Sequence, residues 1–255
     1  MLTPADILPR WREWHLDEGS EPHLSGQLPG GLTNRNFRIQ CGRHNLVLRI
    51  NHPDAALLDL HRDSELQIHQ AMAAAGLTPA VRYCDPAHRF WLRDYLNGTT
   101  PEINSQTLNA MASTLHRVHA TDIRGLPLPV LSFRNKAEHY LNNARVSEDK
   151  RSRLHARIDA AALRLPDGDC LCHMDPLPAN WLMETGGRLW LIDWEYAALA
   201  HPLLDFAAVW LHLPEPLQAE WLELTGNTDA DQWQGALQQL QLLEELWYLA
   251  NPASA

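Results

Sequence analysis

The spacing of apolar residues changes near residue 96, and this change limits the possible folds more than any other feature. The short apolar runs before it lie at 26–28, 36–40, 46–50, 80–83 and 90–95. Turn residues separate these runs, which is typical of antiparallel strands. One helical period, over 59–75, interrupts them and ends at Gly76. The sequence therefore predicts an α+β protein, with a small antiparallel-sheet lobe over 1–96 and a larger, mostly helical lobe over 97–255.

The second lobe is predicted to be helical around a compact β insert. Its helices are expected at 105–119, 137–163, 203–213, 216–224 and 232–249, and 137–163 has the length of two helices. The insert has predicted strands at 170–172, 181–183 and 189–192, with Gly186-Gly187 as a turn. A further helix is expected at 3–17, with Thr3 as its N-cap. Because ligand sites favour interfaces between lobes, we expect a cleft there.

Composition narrows the classes of partner. Lys plus Arg number 21 and Asp plus Glu number 31, so the formal net charge is −10. Nucleic-acid binding requires a basic surface, and the acidic balance argues against such a partner. The sequence contains no run of 18 apolar residues, so no membrane span is expected. The N-terminus is charged and interrupted by prolines, and it does not resemble a signal peptide. We therefore expect a cytoplasmic protein without a nucleic-acid or membrane partner.

The spacing of the cysteines and histidines along the sequence does not predict a metal site. Four cysteines are too few for a disulfide framework at this length, and they favour free thiols in a reducing compartment. Cys170 and Cys172 stand too close in sequence for the usual zinc-knuckle spacing. The 14 histidines are scattered. His116 and His119 share a helix face, but two ligands do not make a site.

The most informative segment combines His173, Asp175 and Asn180, in the pattern His-x-Asp-x-x-x-x-Asn. An apolar strand that ends in Asp193 follows it. Phosphoryl transfer requires one carboxylate that orients and deprotonates a hydroxyl, and oxygen ligands that hold Mg²⁺ on the nucleotide phosphates. The plainer interpretation is that Asn180 caps a turn, Asp175 is solvated on a loop and Asp193 ends a strand. His173 is an alternative base, because histidine is the residue type whose unperturbed side chain titrates near neutrality.

The segments around these residues resemble those of a known enzyme superfamily. The segment Leu171–Asn180, together with Leu191–Glu195, resembles the aminoglycoside phosphotransferase and choline kinase superfamily. The resemblance implies a two-lobed protein-kinase-like fold, with ATP and Mg²⁺ as cofactors. It also implies that Asp175 is the catalytic base, that Asn180 and Asp193 bind Mg²⁺, and that His173 braces the catalytic loop. Asp205 matches a family aspartate that braces the same loop.

The first lobe offers groups for the nucleotide phosphates. The string Gly30-Gly31-Leu32-Thr33-Asn34 lies between two predicted strands. Paired glycines let the backbone approach a phosphate, and Thr33 and Asn34 add polar groups. Alone, such a string is more often a plain hairpin turn. Beside the His-x-Asp motif it resembles the phosphate loop of choline and thiamine kinases.

An arginine and a hinge complete the predicted nucleotide site. Arg49 is the lone charge in the apolar run 46–50, so it requires a partner, and Glu65 on the following helix is the predicted one. In the resembling family a basic residue at this position contacts the α- and β-phosphates. Backbone groups from Asp94 to Leu96 are expected to meet the purine edge.

The acceptor is predicted to be a small, cationic alcohol.

 Trp194, Glu195 and Trp210 are the candidate acceptor residues, because aromatic faces and carboxylates hold cationic alcohols. The order of acceptors rests on resemblance: thiamine first, because Ile192–Ala197 and Ala207–Trp210 resemble bacterial thiamine kinases, then choline or ethanolamine, then an aminoglycoside or another sugar.

Two rival functions stay open from the sequence alone. One is a catalytically silent nucleotide-binding protein, which the unusual prolines Pro176 and Pro178 in the catalytic loop favour, since proline stiffens a loop. The other is a metal hydrolase that uses the histidines and carboxylates. Asp175, Asn180 and Asp193 together favour an ATP-dependent small-molecule kinase over both.

Overall fold

The computed structural model describes residues 2–16, 20–29, 33–55, 58–227 and 229–251. The chain divides into two compact units. The first comprises Met1–Thr99 and Leu182–Ile192, and the second comprises Thr100–Trp181 and Asp193–Ala255. The division of function between 1–96 and 97–255 stays a prediction.

The first unit is built on a five-stranded antiparallel sheet, in the order β1-β2-β3-β5-β4. Its strands are β1 (His23–Gln27), β2 (Arg35–Cys41), β3 (His44–Ile50), β4 (Val81–Cys84) and β5 (Phe90–Asp94). Along β2, Phe37, Ile39 and Cys41 are buried at every second position, the period that places side chains on one face. The five predicted strands are confirmed, with ends shifted by a few residues.

The predicted helix over 3–17 is wrong in its extent. Only α1 (Pro4–Ile7) is α-helical, and a 3₁₀ segment follows over Leu8–Trp14. Pro9 lacks an N–H group, and its ring clashes with the carbonyl four residues earlier, so the α-helix does not continue through it. Ile7 and Trp14 nevertheless pack against the sheet core.

Helix α2 (Arg62–Ala74) and a small sheet complete the first unit. The small sheet joins β6 (Gly98–Thr99), β8 (Trp181–Glu184) and β9 (Leu189–Leu191), of which β6 was not predicted. Gly187, in the turn between β8 and β9, has a φ of +80°, which glycine adopts without strain. The N–H of Leu191 donates to the carbonyl of Leu77 over 3.0 Å, which holds β9 beside the segment after α2.

The second unit is mainly helical. Its helices are α3 (Ser105–His119), α4 (Phe133–Asn143), α5 (Glu148–Ala162), α6 (Leu203–Trp210), α7 (Glu215–Thr225) and α8 (Ala230–Ala250). The predicted stretch 137–163 is two helices, and the Ser147 hydroxyl accepts from the N–H of Lys150 to cap the second. Apolar side chains of α4, α5 and α8 form one core.

A two-stranded sheet lies among these helices and supports the candidate site. Strand β7 (Cys170–Cys172) pairs antiparallel with β10 (Ala198–Ala200), which was not predicted. Gly168 precedes β7, and a Cβ at this position would lie 2.0 Å from the carbonyl oxygen of Ala200. Glycine is therefore required for the chain to enter β7. Within the described ranges, no helix has the length and apolar character that crossing a bilayer requires.

Candidate active site

The loop after β7 is held by one buried carboxylate, that of Asp205 at the start of α6. Its Oδ2 accepts from the N–H of His173 over 2.8 Å, and its Oδ1 accepts from the N–H of Met174 over 2.7 Å. Met174 has a φ of +67°, a left-handed conformation that is uncommon for a residue with a side chain. The two hydrogen bonds stabilise this turn and fix the direction in which the chain reaches Asp175. The predicted bracing role of Asp205 is confirmed.

His173 is enclosed by protein and braces the same loop. Its side chain is fully buried, and Nδ1 accepts from the N–H of Asp175 over 3.3 Å. The ring packs edge-on against Trp194, with centroids 4.5 Å apart. A ring nitrogen that already accepts a backbone N–H is poorly placed to take a proton from a substrate, so these contacts favour bracing over base catalysis.

Asp175 and Asn180 contact each other directly. The Asn180 Nδ2 group donates to Asp175 Oδ2 and to the Asp175 carbonyl oxygen, each over 2.8 Å. Pro178 begins the 3₁₀ turn that ends at Asn180, a position where its missing N–H costs nothing. The carbonyl of Pro176 accepts from Trp181 Nε1 over 2.9 Å. The prolines are therefore compatible with a loop that positions both polar side chains.

Asp193 follows β9 in a strained conformation. Its φ of +69° is left-handed, and such outliers concentrate at functional sites. Burial, reinforced by the carboxylates of Asp193 and Glu195, raises the pKa of Asp175 to about 8. Asp175 keeps some solvent exposure, while its carboxyl group is enclosed by surrounding atoms. Negative charge is thus concentrated around this carboxyl.

This concentration of charge fits a bound Mg²⁺. The hydrogen bonds of Asn180 to Asp175 use its Nδ2 atom, whereas Mg²⁺ would take its amide oxygen. Asp193 supplies a carboxylate oxygen, and like charges near Asp175 disfavour its ionised form unless a cation offsets them. The donor set, all hard oxygen, suits Mg²⁺. The roles of Asn180 and Asp193 as its ligands remain predictions.

The three candidate acceptor residues have different surroundings. Trp194 is fully buried against His173, which favours a packing role for it. Glu195 is 7% exposed. Trp210 is partly exposed, and its Nε1 has no hydrogen-bond acceptor among the described residues. Tyr196 follows Glu195 in sequence and was not among the predicted residues, and the Lys136 ammonium is 5.3 Å from the centre of its ring.

In the first unit, Arg49 pairs with Glu65 as the sequence predicted. Arg49 Nη1 lies 2.6 Å from Glu65 Oε1, and both side chains are at most 5% exposed. Arg62 donates from Nη1 to Glu65 Oε2 over 2.7 Å. Two guanidinium groups therefore share one carboxylate, which leaves one net positive charge. Sequence reasoning missed Arg62, although its spacing of three residues from Glu65 on α2 was a usable signal.

The predicted phosphate loop is only partly described. Gly30 and Gly31 lie outside the described residues. Asn34 is buried, and its Oδ1 accepts from the N–H of His52 over 3.2 Å and from Arg62 Nη2 over 3.1 Å. Its Nδ2 donates to the Thr33 hydroxyl over 3.1 Å. These bonds tie the start of β2 to Arg62, so Asn34 has a positioning role here.

The segment predicted as the hinge is hydrogen-bonded to neighbouring strands and loops. The N–H of Asp94 donates to the carbonyl of Ala80, and that of Tyr95 donates to the carbonyl of Asn45, each over 3.0 Å. The Asp94 carboxylate holds Arg82 through two hydrogen bonds of 2.7 Å. The two backbone bonds occupy the N–H groups of Asp94 and Tyr95. The contact of backbone groups from Asp94 to Leu96 with the purine edge stays a prediction.

The chain resembles known phosphotransferases in sequence. The family described as "Phosphotransferase enzyme family" matches residues 26–243. The chain belongs to this family. A curated relative, protein LicA of Haemophilus influenzae, is 29% identical over 198 residues, which are 71% of the chain and 56% of the relative. The chain thus spans little more than half the length of that relative.

Solved structures of phosphotransferases share the fold. The choline kinase LicA from Streptococcus pneumoniae superposes with a TM-score of 0.74 at 18% identity, over 88% of this chain and 84% of that one. An aminoglycoside-3'-phosphotransferase of type VIII gives 0.68 at 18% identity, over 94% and 98%. The predicted kinase-like fold and the resemblance to the aminoglycoside phosphotransferase and choline kinase superfamily are confirmed. A closer tie to thiamine kinases stays a prediction.

Proposed function

We propose that this phosphotransferase moves the γ-phosphate of ATP to a hydroxyl group of a small cationic alcohol, with Asp175 as the base. The observation that carries the proposal is the placement of the Asp175 carboxyl. It is bonded to Asn180, has Asp193 and Glu195 nearby, and follows a turn that Asp205 holds in a strained conformation. A carboxylate so positioned suits the orientation and deprotonation of a hydroxyl.

In the proposed step the acceptor hydroxyl oxygen forms a bond to the γ-phosphorus, the bond from the γ-phosphorus to the β-phosphate oxygen breaks, and ADP leaves. The hydroxyl proton passes to a carboxylate oxygen of Asp175. Mg²⁺, held by Asn180 and Asp193, would neutralise charge that develops on the phosphate oxygens.

The positive charge of the nucleotide site comes from the first unit. Arg49 and Arg62 together outweigh Glu65 by one charge, so this cluster suits the phosphates of a nucleotide. The ion pair holds Arg49 in one orientation before the nucleotide arrives. We propose that Arg49 contacts the α- and β-phosphates, with Thr33, Gly30 and Gly31 in the adjoining loop and Leu96 at the purine.

The acceptor is proposed to be cationic because carboxylates gather at the loop. Glu195 is buried near Asp175, and the tyrosine ring of Tyr196 follows it in sequence. A buried carboxylate with an aromatic neighbour suits an ammonium group. The acceptors to assay are choline, ethanolamine and thiamine. The choline kinase among the structural neighbours supports choline, whereas the sequence resemblance ranks thiamine first.

The test is ADP release from Mg·ATP with each of these alcohols and with an aminoglycoside. Stimulation by one acceptor, with phosphorylated alcohol as the product, is the expected result. Magnesium-dependent ATP binding without turnover on any acceptor would instead favour a catalytically silent nucleotide-binding protein.

A further inference from the structure

Four side chains of the types that serve as transition-metal ligands lie close together beside the catalytic loop. His119 ends α3, Cys170 and Cys172 lie on β7, and Asp205 lies in the first turn of α6. His119, Cys172 and Asp205 each place one ligand atom within 4.8 Å of the other two. Their distance in sequence hides this cluster, because 86 residues separate His119 from Asp205.

The distances fit a tetrahedral site. The Sγ atoms of Cys170 and Cys172 are 3.8 Å apart, because residues two apart on a strand face the same side. Two thiolates at about 2.3 Å from a tetrahedral Zn²⁺ would be about 3.8 Å from each other. His119 Nε2 lies 2.9 Å from Asp205 Oδ2, so a small outward movement would let both atoms bind one ion.

We propose that His119, Cys172 and Asp205, with Cys170 as the fourth ligand, bind one thiophilic divalent cation of the zinc type. Thiolate and imidazole ligands select zinc-type ions over Mg²⁺, which prefers oxygen. This site is therefore distinct in chemistry from the proposed Mg²⁺ ligands Asn180 and Asp193. Asp205 also holds the loop that positions Asp175, but none of the four ligands reacts in the proposed phosphotransfer, so metal binding can be tested independently of activity.

The surroundings position the ligands before any ion binds. Cys172 and Asp205 are fully buried, and the Asp205 carboxylate is oriented by the N–H groups of His173 and Met174. Such outer contacts orient metal ligands. Cys170 and His119 are partly exposed and provide the route from solvent. Binding releases the two thiol protons to solvent and transfers no electrons.

The test is a Co²⁺ titration of the full, untagged, reduced chain, because thiolate-bound tetrahedral Co²⁺ has intense absorption bands. One equivalent with thiolate charge-transfer absorption is expected, and Zn²⁺ should displace it. The double variant Cys170→Ala/Cys172→Ala should lose this absorption. The matched control is Cys84→Ala, because Cys84 Sγ lies 3.7 Å from His88 Nδ1 and offers a rival site.

A second measurement needs no variant and so does not depend on folding of the double mutant. Zn²⁺ should slow alkylation of Cys170 in the wild-type chain at least tenfold, as located by peptide mass spectrometry, and should leave Cys84 unprotected. Absence of thiolate absorption, its loss in Cys84→Ala, or unchanged alkylation of Cys170 at saturating Zn²⁺ would overturn the proposal.

Discussion

The Nη1 atom of Arg49 lies 2.6 Å from Oε1 of Glu65, and both residues are almost wholly buried in the first unit. Arg62 holds the second oxygen of the same carboxylate. The guanidinium of Arg49 also lies 4.6 Å from the centre of the Trp91 ring. The cation is thus fixed by contacts on several sides, and a nucleotide would meet a preoriented charge.

Replacement of Arg49 is expected to weaken nucleotide binding. Arg49→Ala should lower kcat/KM for ATP about 100-fold, because it removes a phosphate contact and leaves Glu65 with one partner fewer. Arg49→Lys should retain part of the activity, since it keeps the charge but not the planar geometry. Calorimetric titration with ATP measures the affinity. Unchanged ATP affinity in a folded Arg49→Ala variant would contradict the proposed role.

Asp175→Asn should lower kcat by about 100- to 10,000-fold, the range that a positioned base contributes. Asparagine matches the shape of aspartate and can still accept from Asn180, so ATP affinity and folding should persist. Steady-state kinetics and circular dichroism check both expectations. Asp167→Asn, at an exposed position, is the matched control and should leave kcat unchanged.

Asp193→Asn should raise the Mg²⁺ concentration for half-maximal activity about tenfold or more, the effect of losing about 1.4 kcal/mol of binding energy. The physical reason is the loss of an anionic oxygen ligand for a hard cation. Activity is measured against free Mg²⁺ at saturating ATP. An unchanged Mg²⁺ requirement would remove Asp193 from the proposed ligands.

His69 should make the first unit sensitive to acid. Burial lowers the pKa of His69 to about 3, and its Nε2 lies 2.7 Å from the carbonyl oxygen of Pro79. Below the ordinary pKa of 6.5 the unfolded chain binds a proton that the folded chain excludes, so stability falls as the pH drops from 6.5 toward 3. The loss is at most about 1.4 kcal/mol per pH unit.

The variant His69→Gln isolates this contribution. Glutamine keeps a donor for the Pro79 carbonyl and does not titrate, so its unfolding free energy should fall less steeply over the same pH range. Urea unfolding at several pH values gives the comparison. Parallel pH profiles for the variant and the wild-type chain would show that His69 does not carry the effect.

The sequence predicted the features that depend on short, continuous stretches of the chain. Short apolar runs separated by turn residues located the five strands, and the spacing of Asp175 and Asn180 within one loop brought them into contact. The N-terminal helix was predicted too long because tertiary packing of Trp14 and the geometry of Pro9 favour a 3₁₀ segment. Periodicity alone does not report either effect.

Contacts between distant segments were harder to predict. The hydrogen bond of His119 to Asp205, and the approach of both to Cys172, depend on the packing of α3 and α6 around β7. Spacing rules for metal sites assume ligands that are close in sequence, so they found nothing at Cys170 and Cys172. The family resemblance did locate Asp205, because it transfers tertiary information.

The proposed phosphotransfer is tested most directly by following the γ-phosphorus atom of ATP into the product. The chain is incubated with Mg·ATP labelled at the γ-phosphate and with choline, ethanolamine or thiamine, and the products are separated. We expect labelled phosphorylated alcohol from one acceptor, and its loss in Asp175→Asn. Label that remains in ATP, or appears only as inorganic phosphate with every acceptor, would contradict it.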